Sequence, residues 1–224
     1  MPLIIRPMTS ADVITVSIII QHSLGDTVQI QHIQQVIAED DHASFVAVDN
    51  GQMVGFVDGF LTMAQDKTRR WELDLLAVHP DFQGRGAGKQ LIQAFSDGAN
   101  DYGATLVRAL VAIDNKPMQT AMTKAGYQQQ PNIYELHISS AAGKRAKPPE
   151  NAHLIPVNTF TYRGIWLEGE ISLEAIYAAN AIREKYDWDV VGTVVSKTNH
   201  SALGTICAAE FDFIKCFHWW CFTG

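Results

Sequence analysis

Residues 71–88 read WELDLLAVHPDFQGRGAG, an alternating apolar run that passes through a glycine-rich turn straight into a helix-forming segment. Few arrangements of a chain satisfy that order. Gly84, Gly86 and Gly88 let the backbone approach an anion with no Cβ in the way. The helix that follows aims unpaired N–H groups, at the positive end of its dipole, into the same turn. The stretch therefore predicts a strand, a phosphate cradle and a helix as spatial neighbours, with a diphosphate-bearing cofactor in the cradle.

The rest of the N-terminal half supplies elements to surround it. Residues 3–6 form a short β-type run. Thr9, Ser10 and Asp12 start a helix with a stripe through Val13, Val16 and Ile20. A second helix is expected at 28–38 after Gly25, with His22 and His32 read as surface histidines rather than ligands. Residues 44–48 and 53–62 read as strands around Asn50-Gly51, whose positive φ angles suit a tight hairpin. After the glycine turn, Leu91, Ile92, Phe95 and Ala99 recur at helical spacing until Gly103, and 105–113 is β-rich, which makes a strand–helix–parallel strand crossover. Asp114 and Asn115 begin a short helix with Pro117 in its first turn and Gly126 at its end. Residues 133–138 close the half as a strand. The fold class is α+β around a mixed sheet.

Leu76-Ala77-Val78-His79-Pro80 followed by Gln83-Gly84-Arg85-Gly86-Ala87-Gly88 resembles the acetyl-CoA-binding motif of the GNAT superfamily of N-acyltransferases. Asn115 and the run Lys124 to Tyr127 resemble a second motif of that family. The resemblance covers about residues 1–138 and implies a GNAT-like fold whose sheet splays open after the strand feeding the glycines, with acetyl-CoA as acyl donor and no metal. Carried over, the backbone of Leu76, Ala77 and Val78 would pair with pantetheine and the thioester, Gln83 to Lys89 would hold the pyrophosphate, and Asn115 would also reach pantetheine. A nicotinamide or flavin fingerprint fits less well: the glycines alternate instead of following G-x-G-x-x-G, and Asp101 sits near a helix end rather than at a strand tip.

Chemistry then requires a proton acceptor, because an ammonium with a pKa of about 10 cannot attack a thioester until it is deprotonated. Glu72 and Asp74, two apart on the entering strand, fall on one face, with Trp71, Leu73 and Leu75 on the other. Two like charges on one face raise one pKa toward a useful base. Glu72 resembles the base of relatives that use a carboxylate and is the first choice, with Asp74 or a water relay behind it. Many relatives place a tyrosine, the proton donor to the departing thiolate, where this chain has Met122; the expected substitute is Tyr127 or Tyr134, or water, since a thiolate leaves without help. The function expected is N-acetyl transfer to a small-molecule or peptide amine. The alternative is a catalytically weak acyl-CoA-binding regulatory or sensor protein.

The remainder divides as a catalytic domain at 1–139, a small, basic, proline-containing linker at 140–152 and a C-terminal α+β unit at 153–224. In that unit 154–168 reads as β, 172–188 as a helix, 190–196 as a strand, 201–210 as a short helix and 211–222 as an aromatic strand. That order of elements copies 71–138, and a shift of 84 residues lays Asn199 on Asn115; the unit is either a degenerate half-copy or an unrelated small α+β extension. Glu170 and Ser172 replace Gly86 and Gly88, so no second cofactor site is expected. A half-sheet leaves an edge that must pack on the first domain or pair with another subunit, which makes a homodimer one expected form. Cys216, His218 and Cys221 alternate to opposite faces of a strand and leave too few ligands converging for zinc.

Net charge −7 argues against nucleic acid as a partner, and the apolar run ending at Ile20 is too short to span a membrane. Three cysteines, all beyond residue 200, make no disulfide framework, and a cytoplasmic protein is expected.

Overall fold

Asn50 and Gly51 carry φ angles of 49° and 81°, the left-handed pair a two-residue hairpin needs, and they join β2 (His42–Asp49) to β3 (Gln52–Met63). The computed structural model describes residues 3–144 and 146–222. Before the hairpin come β1 (Ile4–Pro7), α1 (Val13–Leu24) and α2 (Ile30–Val36). Thr9 and Asp12 form a capping box ahead of α1, and Arg6 grips Asp12 through two 2.7 Å bonds. Gly25, at φ 79°, ends α1. His22 is exposed, as expected, whereas His32 is half-buried, its Nε2 reaching the Thr159 carbonyl at 2.7 Å.

β4 (Arg69–Val78), α3 (Ala87–Gly98), β5 (Leu106–Ala112), α4 (Lys116–Lys124), β6 (Tyr127–Gln129) and β7 (Tyr134–Ser139) follow. Trp71 stacks between Phe95 and Tyr102, with centroids 4.9 and 4.3 Å away, and its indole N–H donates to the Phe95 carbonyl at 2.9 Å. This aromatic column, with Leu91 and Ile92, buries one face of α3 on β4. Gly59 on β3 is glycine because the Phe95 ring and the Glu72 carbonyl occupy the space where a Cβ would be.

The C-terminal half runs β8 (Ala152–Asn158), β9 (Arg163–Gly169), α5 (Leu173–Lys185), β10 (Val190–Ser196), α6 (His200–Ala208) and β11 (Asp212–Phe222). The single β run expected at 154–168 is two strands, broken at the turn where Thr159 N–H bonds the Tyr162 carbonyl. β10 and α6 start and end 84 residues after β5 and α4. Asn115 and Asn199 cap α4 and α6 in the same way, accepting from Met118 N–H and Ala202 N–H with φ of −80° and −86°. The pairing sense also repeats: β4 is antiparallel to β3 and parallel to β5, and β9 is antiparallel to β8 and parallel to β10.

The halves do not stay apart at residues 140–152. The sheet order is β1-β2-β3-β4-β5-β11-β7-β10-β9-β8, with β6 on β11. β11 leaves its own half to lie between β5 and β7, while β7 crosses the other way to pair with β10. Each half lends its last strand to the other, and the edges that two separate half-sheets would expose become interior ladders. Trp220 of β11 is thereby buried in the core of the first half.

Candidate active site

The β4–β5 ladder runs only from Arg70 opposite Leu106 to Leu73 opposite Ala109. Beyond it β4 continues to Val78 beside β3 alone, so the sheet opens. A cleft of about 500 Å³ occupies the opening. Leu76, Ala77 and Val78 form one wall, Gln83, Gly84, Gly86, Ala87, Gly88 and Lys89 the floor, and Asn115, Pro117, Ala121 and Lys124 the far side.

Gly84 and Gly86 have φ of 75° and 87°, and nothing lies within 4 Å of where their Cβ would be. Backbone strain, not crowding, therefore selects glycine, and the space in front stays open for a ligand. Gly86 caps α3 without a side-chain bond. The first backbone bond of that turn is Gln90 N–H to Gly86 O, which leaves the amides of Ala87, Gly88 and Lys89 without partners among the described residues. With two lysines alongside, the arrangement suits a phosphate-bearing cofactor. Gln83 donates its side-chain amide to the Val78 carbonyl at 3.0 Å and pins the turn to the strand. Arg85 departs from the expected set: it turns back onto the Asp81 carbonyl and the Phe82 ring and lines a neighbouring hollow.

The degenerate counterpart of this turn is shorter. β9 ends at Gly169, and Ser172 caps α5 with its own hydroxyl, accepting from Ala175 N–H at 3.3 Å. The amide that an anion would need there is already bound.

The register between β3 and β4 slips between Asp58 and Gly59, so Asp74 is an extra residue on β4. The bulge corrects the expected alternation. Trp71, Leu73, Leu76 and Val78 face the α3 side, but Leu75 joins Ala77 on the other. Glu72 and Asp74 do share a wall, that of a second, enclosed cavity of about 220 Å³.

The two carboxylates have different surroundings. Glu72 Oε1 accepts from Thr62 Oγ1 at 2.8 Å and from Arg108 Nη2 at 2.8 Å, and its Oε2 from Arg108 Nε at 2.9 Å. Arg70 Nε stands 3.2 Å from Oε1. Arg70 also donates to Glu168 at 2.8 and 3.1 Å, and Arg108 lies 3.8 Å over the Trp219 ring. Glu72 thus sits inside an arginine network, its carboxylate oxygens engaged by Thr62, Arg70 and Arg108. Asp74 is half-buried, and its Oδ2 is sealed from solvent with no partner among the described residues. Burial pushes its pKa up to about 7, and the charges of Asp58 and Glu72 act in the same direction.

Asp58 was missed at the sequence level. It is fully buried, accepts from Ser44 Oγ at 2.6 Å, has an unpartnered Oδ2, and is pushed up to about 7 by burial. A lone acid inside MVGFVDGFLT, where β3 is otherwise apolar, was the available signal. His42, two residue pairs along β2 from Ser44, is also buried; burial lowers its pKa, but its bond to Asp41 and the charge of Asp58 raise it on balance. Among the described residues, Glu39, Asp41 and His42 are the one group of three whose ligating atoms lie within 4.8 Å of one another, and His42 Nε2 there is committed to the Asn158 carbonyl. Cys216, His218 and Cys221 form no such group.

Tyr127 stands apart from both cavities. Its hydroxyl is buried 2.7 Å from Ser96 Oγ, its pKa is pushed up to about 12 by burial, and it lines neither cavity. Met122, fully buried, belongs to the same core. The tyrosine facing the second cavity is Tyr162, which sequence reasoning also passed over. Its oxygen accepts from Trp166 Nε1 at 2.9 Å, and burial together with the Asp74 charge keeps it protonated far above the usual range.

Residues 18–127 match the acetyltransferase (GNAT) family model. The chain is 25% identical over 96 residues to N-alpha-acetyltransferase 30 of Schizosaccharomyces pombe, an alignment covering 43% of this chain and 64% of that protein. In fold it resembles the GCN5-related glucosamine N-acetyltransferase region of a fungal multi-domain GH3 β-N-acetylglucosaminidase, with a TM-score of 0.65 at 15% identity over 99% of this chain and 38% of that one. It also resembles a GCN5-related N-acetyltransferase from Sphaerobacter thermophilus, with a TM-score of 0.59 at 11% identity over 98% and 95% of the two chains. No helix among the described residues is long and apolar enough to cross a membrane.

Proposed function

We propose, from the match of residues 18–127 to the acetyltransferase (GNAT) family model, that the chain moves an acetyl group from acetyl-CoA to a primary amine, with Asp74 as the proton acceptor. The observation that carries this reading is the position of Asp74, an unpaired carboxylate at the bulge where β4 and β5 separate.

The cofactor's diphosphate rests on the amides of Ala87, Gly88 and Lys89, and the pantetheine arm runs along Leu76, Ala77 and Val78 into the opening. The acceptor approaches from the enclosed cavity. Its ammonium gives one proton to Asp74, its nitrogen bonds the thioester carbon, and the C–S bond breaks as the tetrahedral oxyanion collapses, the nitrogen's second proton passing to the departing thiolate. Strand amides freed by the opening are the donors available to that oxyanion. The leaving thiolate, with a free pKa of about 8.5, departs without a dedicated acid, which fits the burial of Met122 and Tyr127.

The test is thiol release from acetyl-CoA with a panel of amines, measured for the wild-type chain and Asp74→Asn. Turnover that vanishes in the variant while CoA still binds supports the reading. Turnover equal in both would sink Asp74 as the base, and CoA binding without turnover on any amine would point to a regulatory acyl-CoA-binding protein.

A further inference from the structure

The enclosed cavity is built by both halves. Asp74 and Leu110 come from β4 and β5, Trp166 and Gly192 from β9 and β10, and Trp219 from the exchanged β11, with Tyr162 on the β8–β9 turn. We propose that this cavity is the acceptor site and that it selects a compact monoamine with a flat apolar body, an arylalkylamine, over polyamines, amino sugars, free amino acids and peptide N-termini. The proposal rests on the acetyl-transfer reading above and adds the substrate class.

Size is the first argument. About 220 Å³ lies below the roughly 300–1,000 Å³ of sites that hold drug-sized ligands. Charge is the second. Arg70 and Arg108 are matched by Glu72 and Glu168 through direct ion pairs. Asp74 is the carboxylate left over, so the cavity neutralises one ammonium. Further charges on a polyamine would be buried unpaired, and the carboxylate of an amino acid would face Asp74, with neither arginine lining the cavity.

Hydrogen-bonding capacity is the third. Trp166 Nε1 is spent on Tyr162, Thr193 Oγ1 on the Leu167 carbonyl, and Arg108 on Glu72. The Tyr162 O–H and Asp74 are the polar groups left toward a ligand, so the several hydroxyls of an amino sugar or amides of a peptide would outnumber them and lose most of their bonds to water without replacement. What remains toward the ligand is the apolar surface of Trp166, Trp219, Leu110 and Leu136, with Asp74 at one end.

Gly192 provides the means of testing this. A Cβ there would meet only Trp166 Cδ1, at 3.7 Å, an ordinary contact, so a larger side chain fills cavity rather than displacing backbone. The full chain is titrated with 2-phenylethylamine, spermidine, an aminoglycoside and a hexapeptide, reading tryptophan fluorescence, and the same compounds are tried as acceptors in thiol release. The expected result is 2-phenylethylamine preferred at least tenfold in affinity, a tenfold or greater loss in Gly192→Leu with CoA binding unchanged, and a smaller loss in Gly192→Ala should the leucine variant not fold. Binding that follows this order without turnover would uphold the site while removing the acetyl-transfer reading. Preference for spermidine, the aminoglycoside or the peptide, or 2-phenylethylamine binding indifferent to Gly192, would overturn the inference.

Discussion

Asp58 of β3 and Asp74 of β4 meet where the register between their strands slips, and each keeps one carboxylate oxygen buried without a hydrogen-bond partner. Two such groups in one place are costly to a fold, and their cost is felt as a shared reluctance to ionise.

Asp74→Asn is expected to lower kcat by about 10²- to 10⁴-fold, the usual worth of general base catalysis, with CoA affinity within about twofold. Because the ionised form accepts the proton, kcat/KM of the wild type should rise with pH through about 7. A stopped assay across pH 5 to 9 reads both.

Asp58→Asn should shift that profile to lower pH, since it removes a charge that holds Asp74 up. It should also change stability with a definite sign. A carboxyl raised to about 7 in the folded state stays protonated where the unfolded chain ionises, so the wild type loses stability as pH climbs from about 4 to about 7. The asparagine variant, which can still accept from Ser44, should therefore match the wild type at pH 4 and exceed it at pH 8 by up to about 4 kcal/mol. Urea midpoints at the two pH values check this.

Glu72→Gln should destabilise the chain by about 3–5 kcal/mol, because it leaves Arg70 and Arg108 buried with Glu168 alone. Turnover per folded molecule should fall far less than in Asp74→Asn. Equal losses in the two variants would return Glu72 to the chemistry.

Gly86→Ala should raise the dissociation constant of CoA at least tenfold, since the methyl enters the cradle and the φ of 87° resists a side chain. The stability cost should be only the backbone strain, about 1–3 kcal/mol. Calorimetric titration and thermal melts separate the two effects.

A chain cut after residue 139 should not fold on its own. It would lack β11, leaving β5 without its antiparallel neighbour and the first core without Trp220. A cooperative melt of that fragment would contradict the strand exchange as a structural necessity.

The glycine-lined cleft was legible in sequence because its logic is local. A strand, a turn that needs positive φ and a helix N-terminus lie within residues 71–88, and glycine spacing writes that geometry directly; Asn115 and Asn50-Gly51 were readable for the same reason. Arg85 was not, because the direction of an exposed arginine is set by whatever lies nearby, here Phe82 and the Asp81 carbonyl.

The roles of the carboxylates could not be read that way. Glu72 and Asp74 look equivalent on a strand. What separates them is Arg108, which lies 36 residues away in the chain, and a bulge whose partner is on β3. Asp58 and Tyr162 become neighbours of Asp74 only when β3 and the second half close around it. The sequence by itself set the elements, their order and the phosphate cradle, because those follow from φ angles, capping and apolar period over a few residues. Tertiary structure decided which acid is paired, which cavity exists and that two half-sheets exchange their last strands, because burial and charge pairing depend on segments that meet only in the folded chain.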